Sequence, residues 1–263
     1  MARGSRRTSG TVGIRYAGLP REVVFLRRPN RFLAFVRPVA GGPAQAVHVP
    51  NPGRMRELLV PGVTRGYVVP ARNPQRATSA TLVSVIHEGT LVSIDTMAAN
   101  RLVARALADG GVGPLPRTGW RAEVPWGRHR FDFARLDPGS GRPVHLLEVK
   151  SSNLKEGRRA LFPDAPTERG TRHLDALAEA RRAGVRADVV FAVQRSDVEE
   201  FAPNRALDPA FAAAFDRARA AGVRTTAYRL TVRPEGVRWG PPMAVLEGAR
   251  ENIFNRHGSN AVR

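Results

Sequence analysis

Three side chains in this sequence have the types and spacing for metal-assisted chemistry on phosphate. Residues 144–150 read VHLLEVK, an apolar, β-favouring run that nevertheless carries Glu148 and Lys150 two positions apart. Side chains two apart on a strand share a face, so a carboxylate and an ammonium stand side by side in a segment that reads as buried. The preceding strand-like run, RHRFDFARL at 128–136, contains Asp132. Asp132 lies between Phe131 and Phe133, and alternation predicts that it faces away from both. If the two runs pair as a hairpin, Asp132 comes beside Glu148. Two carboxylates on one face repel, and at least one is driven toward protonation unless a cation intervenes. Mg2+ or Mn2+ is the expected cofactor, because both take oxygen ligands and Mg2+ commonly combines one or two carboxylates with water. Asp132, Glu148 and the Val149 carbonyl are the expected ligands. Lys150 would hold an attacking water or a phosphate oxygen. The competing reading is structural, with Glu148 and Lys150 a solvated pair on an open sheet face and Asp132 a charge near a turn.

The elements that must position these residues fall into two groups. From 19 to 94 the signals are β: runs at 21–28, 31–38, 44–50 and 65–71, each bounded by Gly, Pro or Asn, then 81–95 with a tight turn at Glu88-Gly89. This predicts a small barrel of the oligonucleotide-binding (OB) type, with a β-sandwich fragment as the alternative. From 95 to 240 the pattern changes. A helix is expected at 97–111, strands at 120–126, 128–136 and 144–150, a helix at 172–184, a strand at 187–194, a helix at 208–222 and closing strands at 224–239. That order predicts an α+β or mixed architecture, a sheet flanked by helices. Residues 1–18 read as a basic flexible tail, and 241–263 as a second tail.

Composition narrows the partners. The chain has 263 residues, 42 Lys+Arg against 23 Asp+Glu, and a net charge of +19. Residues 1–94 hold 14 basic and 3 acidic residues. A first half so poor in acids suits a polyanion, and the expected partner is DNA, with RNA as the alternative. There is no apolar run long enough to cross a bilayer and no secretory h-region, so no membrane partner is expected and the location is expected to be cytoplasmic, with nucleoid association as a variant. With no cysteine, disulfides and thiolate metal sites are excluded. Only two of the basic residues are lysines, Lys150 and Lys155. In a chain that otherwise uses Arg, a compact ammonium at 150 is notable, although Lys155 stands in what reads as an ordinary loop. The oligomeric state is left open.

The spacing Asp132…Glu148-x-Lys150 resembles the PD-(D/E)xK nuclease superfamily, whose restriction-endonuclease-like core has the same α-β-β-β-α-β order. Longer blocks are more specific: HVPNPGRMRELL (48–59), ANRL (99–102), FDF (131–133), EVKSSNL (148–154) and FPDAPTERGTRHLDAL (162–177). Together, over about 19–240, they resemble the sugar fermentation stimulation protein A family. The resemblance implies DNA binding, an N-terminal OB-like domain and a C-terminal nuclease-like domain. Pro52 departs from the Thr that many members carry, away from the acid–acid–lysine set.

Further candidates surround that set. Block 162–177 is expected to be a loop leading into a helix over the site, with Glu168, Arg169 and Arg172 toward substrate and His173 near the metal. Alternatively, Arg172 is a solvated helix residue and His173 a hydrogen-bonded core residue. Asp164 could cap a turn. Glu123 is a candidate third acid or a surface charge. In the first half, Asn51, Arg54 and Arg56 surround a Pro-Gly turn and form an expected grip on a nucleic-acid backbone. Arg101, Arg128, Arg130, Arg169 and Arg172 complete the expected nucleic-acid contacts. Phe25, Phe32 and Phe35 could stack on bases, with burial in the core as the alternative for most. The expectation is a Mg2+- or Mn2+-dependent nuclease. The alternative is a non-catalytic DNA-binding regulatory protein that affects sugar metabolism.

Overall fold

A computed structural model describes residues 12–246 apart from Arg72 and Pro74. After a short first strand, Gly13–Arg15 (β1), the chain builds a barrel from Arg21–Asn30 (β2), Leu33–Pro38 (β3), Gln45–His48 (β4), Arg65–Pro70 (β5), Ala80–His87 (β6) and Thr90–Ser93 (β7). Every second residue of β2 and β3 turns inward, burying Val23, Phe25, Ala34 and Val36 with Val47, Leu82 and Val85. The strand order is β4-β3-β2-β5-β6-β7. A parallel pairing of His48 with Thr81 joins β4 to β6 and closes five strands into the expected OB barrel. The turn from β6 to β7 runs through Glu88 and Gly89, both at positive φ, as tight hairpins of this hand require. Of the three candidate stacking residues, Phe25 is core, Phe35 lies under the Arg27 guanidinium and Phe32 is exposed beside His48.

Helix Thr96–Asp109 (α1) follows directly. Asp95 caps it by accepting the Ala98 N–H, and Gly110 ends it in the left-handed region. Trp120–Trp126 (β8), His129–Leu136 (β9) and Pro143–Ser152 (β10) then form an antiparallel meander. Leu154–Glu156 (β11) and Arg159–Phe162 (β12) lead to Glu168–Arg182 (α2). Arg186–Val193 (β13), Glu200–Pro203 (β14), Pro209–Ala220 (α3), Arg224–Arg229 (β15), Thr231–Arg233 (β16), Gly236–Arg238 (β17) and Pro242–Val245 (β18) complete the chain. Nine strands make one mixed sheet, ordered β11-β12-β14-β18-β15-β13-β10-β9-β8. Helices α2 and α3 pack Leu174, Leu177, Phe211 and Phe215 on one face, and α1 packs Leu102, Val103 and Ala106 on the other.

Both expected tails are shorter than the sequence suggests. Strand β1 pairs antiparallel with β17, and buried Ile14 anchors it among α1 residues. Strand β18 inserts between β14 and β15, with Met243 and Val245 packed on the core. Too few residues are involved in either strand for a period to show. Residues 1–11 and 247–263 lie outside the described part.

The two domains are joined by specific contacts. Thr96 donates to the Pro50 carbonyl and Ser93 to that of Gln194. Lys155, which reads as an ordinary loop residue, reaches Glu88 of the barrel at 2.6 Å and Asp197 at 2.8 Å. Arg195, fully buried, forks onto Asp197 and also binds the Asn153 carbonyl and His87.

Candidate functional site

The point within the sheet where β9 parts from β10 creates the site. The β9–β10 ladder pairs Leu146 with Ala134 and Leu147 with Phe133, then stops. One step further the register would set Glu148 against Asp132. Instead, Asp132 takes over the role of backbone. Its Oδ2 accepts the Val149 N–H at 2.7 Å, and its Oδ1 accepts from Asn100 of α1 at 2.7 Å. The predicted alternation around Asp132 fails here. Phe131 packs in the α2–α3 core and Phe133 in the α1 core, so the flanking rings do not share a face. The paired strand β8 is irregular at the same level, with no ladder pair between Glu123 and Asp132 and with Glu123 at φ 55°.

Along β10 the alternation holds. Leu146 joins the α2–α3 core, Leu147 and Val149 join the α1 core, and Glu148 and Lys150 share the α2 side. Lys150 Nζ donates to Glu148 Oε1 at 2.6 Å, and His173 Nδ1 meets the same oxygen at 2.7 Å. His173 is thus a buried, hydrogen-bonded residue whose partner is Glu148. Burial pushes the Glu148 carboxyl up, but the Lys150 charge and His173 prevail and hold it below the usual carboxylate range. Asp132 behaves oppositely. Burial first, and then the charge of Glu148, push it up to about 6.

A divalent cation fits this donor set. Glu148 Oε2 is buried without a hydrogen-bond partner, and a buried unpaired carboxylate oxygen is costly. The Val149 N–H turns toward Asp132, and in an extended strand the carbonyl of the same residue points to the same side. Asp132, Glu148 and the Val149 carbonyl could therefore hold Mg2+ or Mn2+, with water supplying the remaining ligands. Among the described residues no three His, Asp or Glu side chains gather into a metal cluster, so the ion would rest on this smaller set.

A cleft of about 1350 Å3 opens between the domains, and both contribute walls. Asp132, Glu148 and Lys150 line one side, and Asn51, Arg54 and Arg56 of the barrel line the other. The sequence pattern did not reveal Arg28. Its guanidinium binds four carbonyls, those of Gly53, Arg54, Arg31 and Asn51, and fixes the basic loop. Asn51 is buried and its Oδ1 accepts the Gly53 N–H, so it shapes the turn. Asp164 packs its carboxylate directly against this loop at Gly53, and burial raises its pKa. It joins the two walls rather than simply capping a turn.

The remaining candidates divide. Arg169 lines the cleft and also a second, smaller hollow with Arg128, Arg130 and Arg172. Arg101 sits on α1 paired with Asp95 at 3.2 Å. Glu123 and Glu168 are exposed and line neither hollow. Glu168 is instead an exposed partner of Arg172 at 3.5 Å. The exposure of Glu123 accords with the surface-charge alternative for that residue.

Comparison with known proteins gives a consistent picture. Residues 97–236 match the family described as "Sugar fermentation stimulation protein RE domain", and residues 26–94 match "SfsA N-terminal OB domain". A sugar fermentation stimulation protein homolog of Chloroflexus aurantiacus is 43% identical over 226 residues, covering 86% of this chain and 85% of the relative. A homolog from Moorella thermoacetica is 42% identical, covering 85% and 95%. Among solved structures, Pyrococcus furiosus SfsA in complex with Ca2+ is similar with a TM-score of 0.80 and 26% identity, covering 90% of this chain and all of that one.

Proposed function

Since this chain belongs to the sugar fermentation stimulation protein family, we propose that it binds nucleic acid, DNA or alternatively RNA, and hydrolyses phosphodiester bonds with the help of Mg2+ or Mn2+. One observation carries the reading: the acid–acid–lysine set and the arginines of the barrel loop line the same interdomain cleft. Phosphate contacts position a polyanion without reading its sequence, and the cleft brings such contacts up to the carboxylates. The Ca2+ held by the Pyrococcus furiosus relative supports a hard-cation site.

In this reading Arg54, Arg56 and Arg169 hold the backbone and place one phosphate against the edge of β10. Asp132, Glu148 and the Val149 carbonyl would hold the cation, which would supply activation of water and offset charge on the phosphate oxygens. Lys150 donates from Nζ and orients the water or a non-bridging oxygen. His173 and Lys150 keep Glu148 ionised. The test is cleavage of labelled single- and double-stranded DNA and RNA with either metal, by the wild type and by Lys150→Ala. Metal-dependent cleavage that disappears in the variant supports the reading. Tight binding without cleavage under any metal replaces it with a DNA-binding, non-catalytic role.

A further inference from the structure

Arg128, His129, Arg130, Arg169, Arg172 and His173 surround a hollow of about 490 Å3 beside the interdomain cleft. The β8–β9 turn supplies Arg128, the start of β9 supplies His129 and Arg130, and α2 supplies the others. Among the described residues no acid lines it. Among the same residues Arg128, Arg130 and Arg169 have no ion-pair partner, and Arg172 has only the exposed Glu168 at 3.5 Å. The nearest acids of α2, Asp175 and Glu179, line a neighbouring hollow that shares Arg128, His129 and Arg172 with this one, and there Asp175 is taken up by Arg217 at 2.7 Å. His129 stands edge-on to His173 with ring centroids 5.6 Å apart. Burial first, and then the neighbouring His173 and Arg128, lower the His129 pKa against the opposing charge of Glu179. Cations thus outnumber the acids beside them at this place, which is unfavourable unless an anion joins them.

We infer that this hollow is a second phosphate subsite, which holds a phosphate of the nucleic-acid substrate other than the one placed at Glu148. Guanidinium groups suit phosphate because their planar forks match its oxygens. Arg169 lines both the hollow and the cleft, so a strand leaving the carboxylates meets it next. His173 forms the wall between them, with Nδ1 on Glu148 and its ring facing His129. The substrate therefore runs from the barrel loop past Lys150 and over Arg169 into this hollow. The phosphate is either an internal one of the strand or a terminal one. This inference rests on the nucleic-acid reading above, and its test needs no catalysis.

The experiment measures binding of short oligonucleotides, internally labelled and phosphorylated at the 5′ end, the 3′ end or neither, in chelator over a range of salt. Wild-type protein is compared with Arg128→Gln/Arg130→Gln and, separately, Arg172→Gln. These are exposed side chains, and melting temperatures verify that the variants fold. Affinity should fall roughly tenfold in the double variant, with the salt slope smaller by about one for each phosphate that the protein no longer neutralises. An equal weakening for every oligonucleotide assigns an internal phosphate, and a weakening confined to phosphorylated ends assigns a terminal one. Variants that match wild type in affinity and salt slope overturn the subsite. No binding by the wild type itself overturns the nucleic-acid reading, and the subsite with it.

Discussion

Lys150 Nζ lies 2.6 Å from Glu148 Oε1, on the same face of one strand. The pair is 13% and 5% exposed at the side chains, so it is not a solvated surface pair. Truncating either partner leaves a buried charge uncompensated, an effect of about 3–5 kcal/mol for buried pairs. Lys150→Ala should abolish metal-dependent cleavage while oligonucleotide affinity falls less than tenfold, because the grip on the backbone comes mainly from arginines. Single-turnover cleavage and binding assays on the same samples separate the two effects.

Asp132 predicts a trade between stability and activity. Its pKa is raised from 3.8 to about 6, so the ionised form is less favourable in the folded chain than in the unfolded one. The resulting destabilisation is full above about pH 6 and disappears below the unfolded value near 4. It corresponds to about 3 kcal/mol at most, and Asn would forfeit about 1 kcal/mol by losing one acceptor. Asp132→Asn should therefore raise the melting temperature by a few degrees at pH 7.5 in chelator, and lose that advantage at pH 4. The same variant should be inactive. A lower melting temperature at pH 7.5 would contradict the assignment.

His173 acts through Glu148. With Nδ1 on Oε1 it helps hold that carboxyl low. In His173→Ala the Glu148 pKa rises, and the acid limb of the pH–rate profile should move to higher pH. An unchanged limb with a uniformly lower rate would indicate packing alone.

Arg28→Ala should loosen the basic loop, since four carbonyls lose one shared donor. KM should rise more than kcat falls, and Lys at 28 should not restore it, because an ammonium lacks the planar fork. Limited proteolysis of the 51–56 loop gives an independent readout.

Asp197 holds the fully buried Arg195 at the domain joint. Burial opposes its ionisation, but Arg195 and Lys155 prevail and hold its pKa well below the ordinary carboxylate value. A depressed carboxylate stabilises above its unfolded pKa and loses that contribution as pH falls through the folded one. Asp197→Asn should cost about 3 kcal/mol near pH 7 by leaving Arg195 unpaired. The difference from wild type should shrink in acid denaturation below about pH 4. Urea titrations at several pH values would measure it.

The sequence by itself determined the strand that carries Glu148 and Lys150, because a period of two forces i and i+2 onto one face. It also marked the barrel through turn residues between short apolar runs, and the helices through apolar spacing. Strands β1 and β18 were not legible, since three or four residues show no period and gain their partners only from distant chain. The tertiary structure alone decided how Asp132 meets Glu148. Local periodicity predicts a face, but β9 leaves the ladder at this point, and Phe131 and Phe133 enter different cores. It also decided the role of Arg28, whose bonds go to backbone carbonyls that carry no sequence signal. Finally, it brought arginines from the barrel and carboxylates from the sheet to one cleft, an encounter set by how the domains dock, which no spacing along the chain encodes.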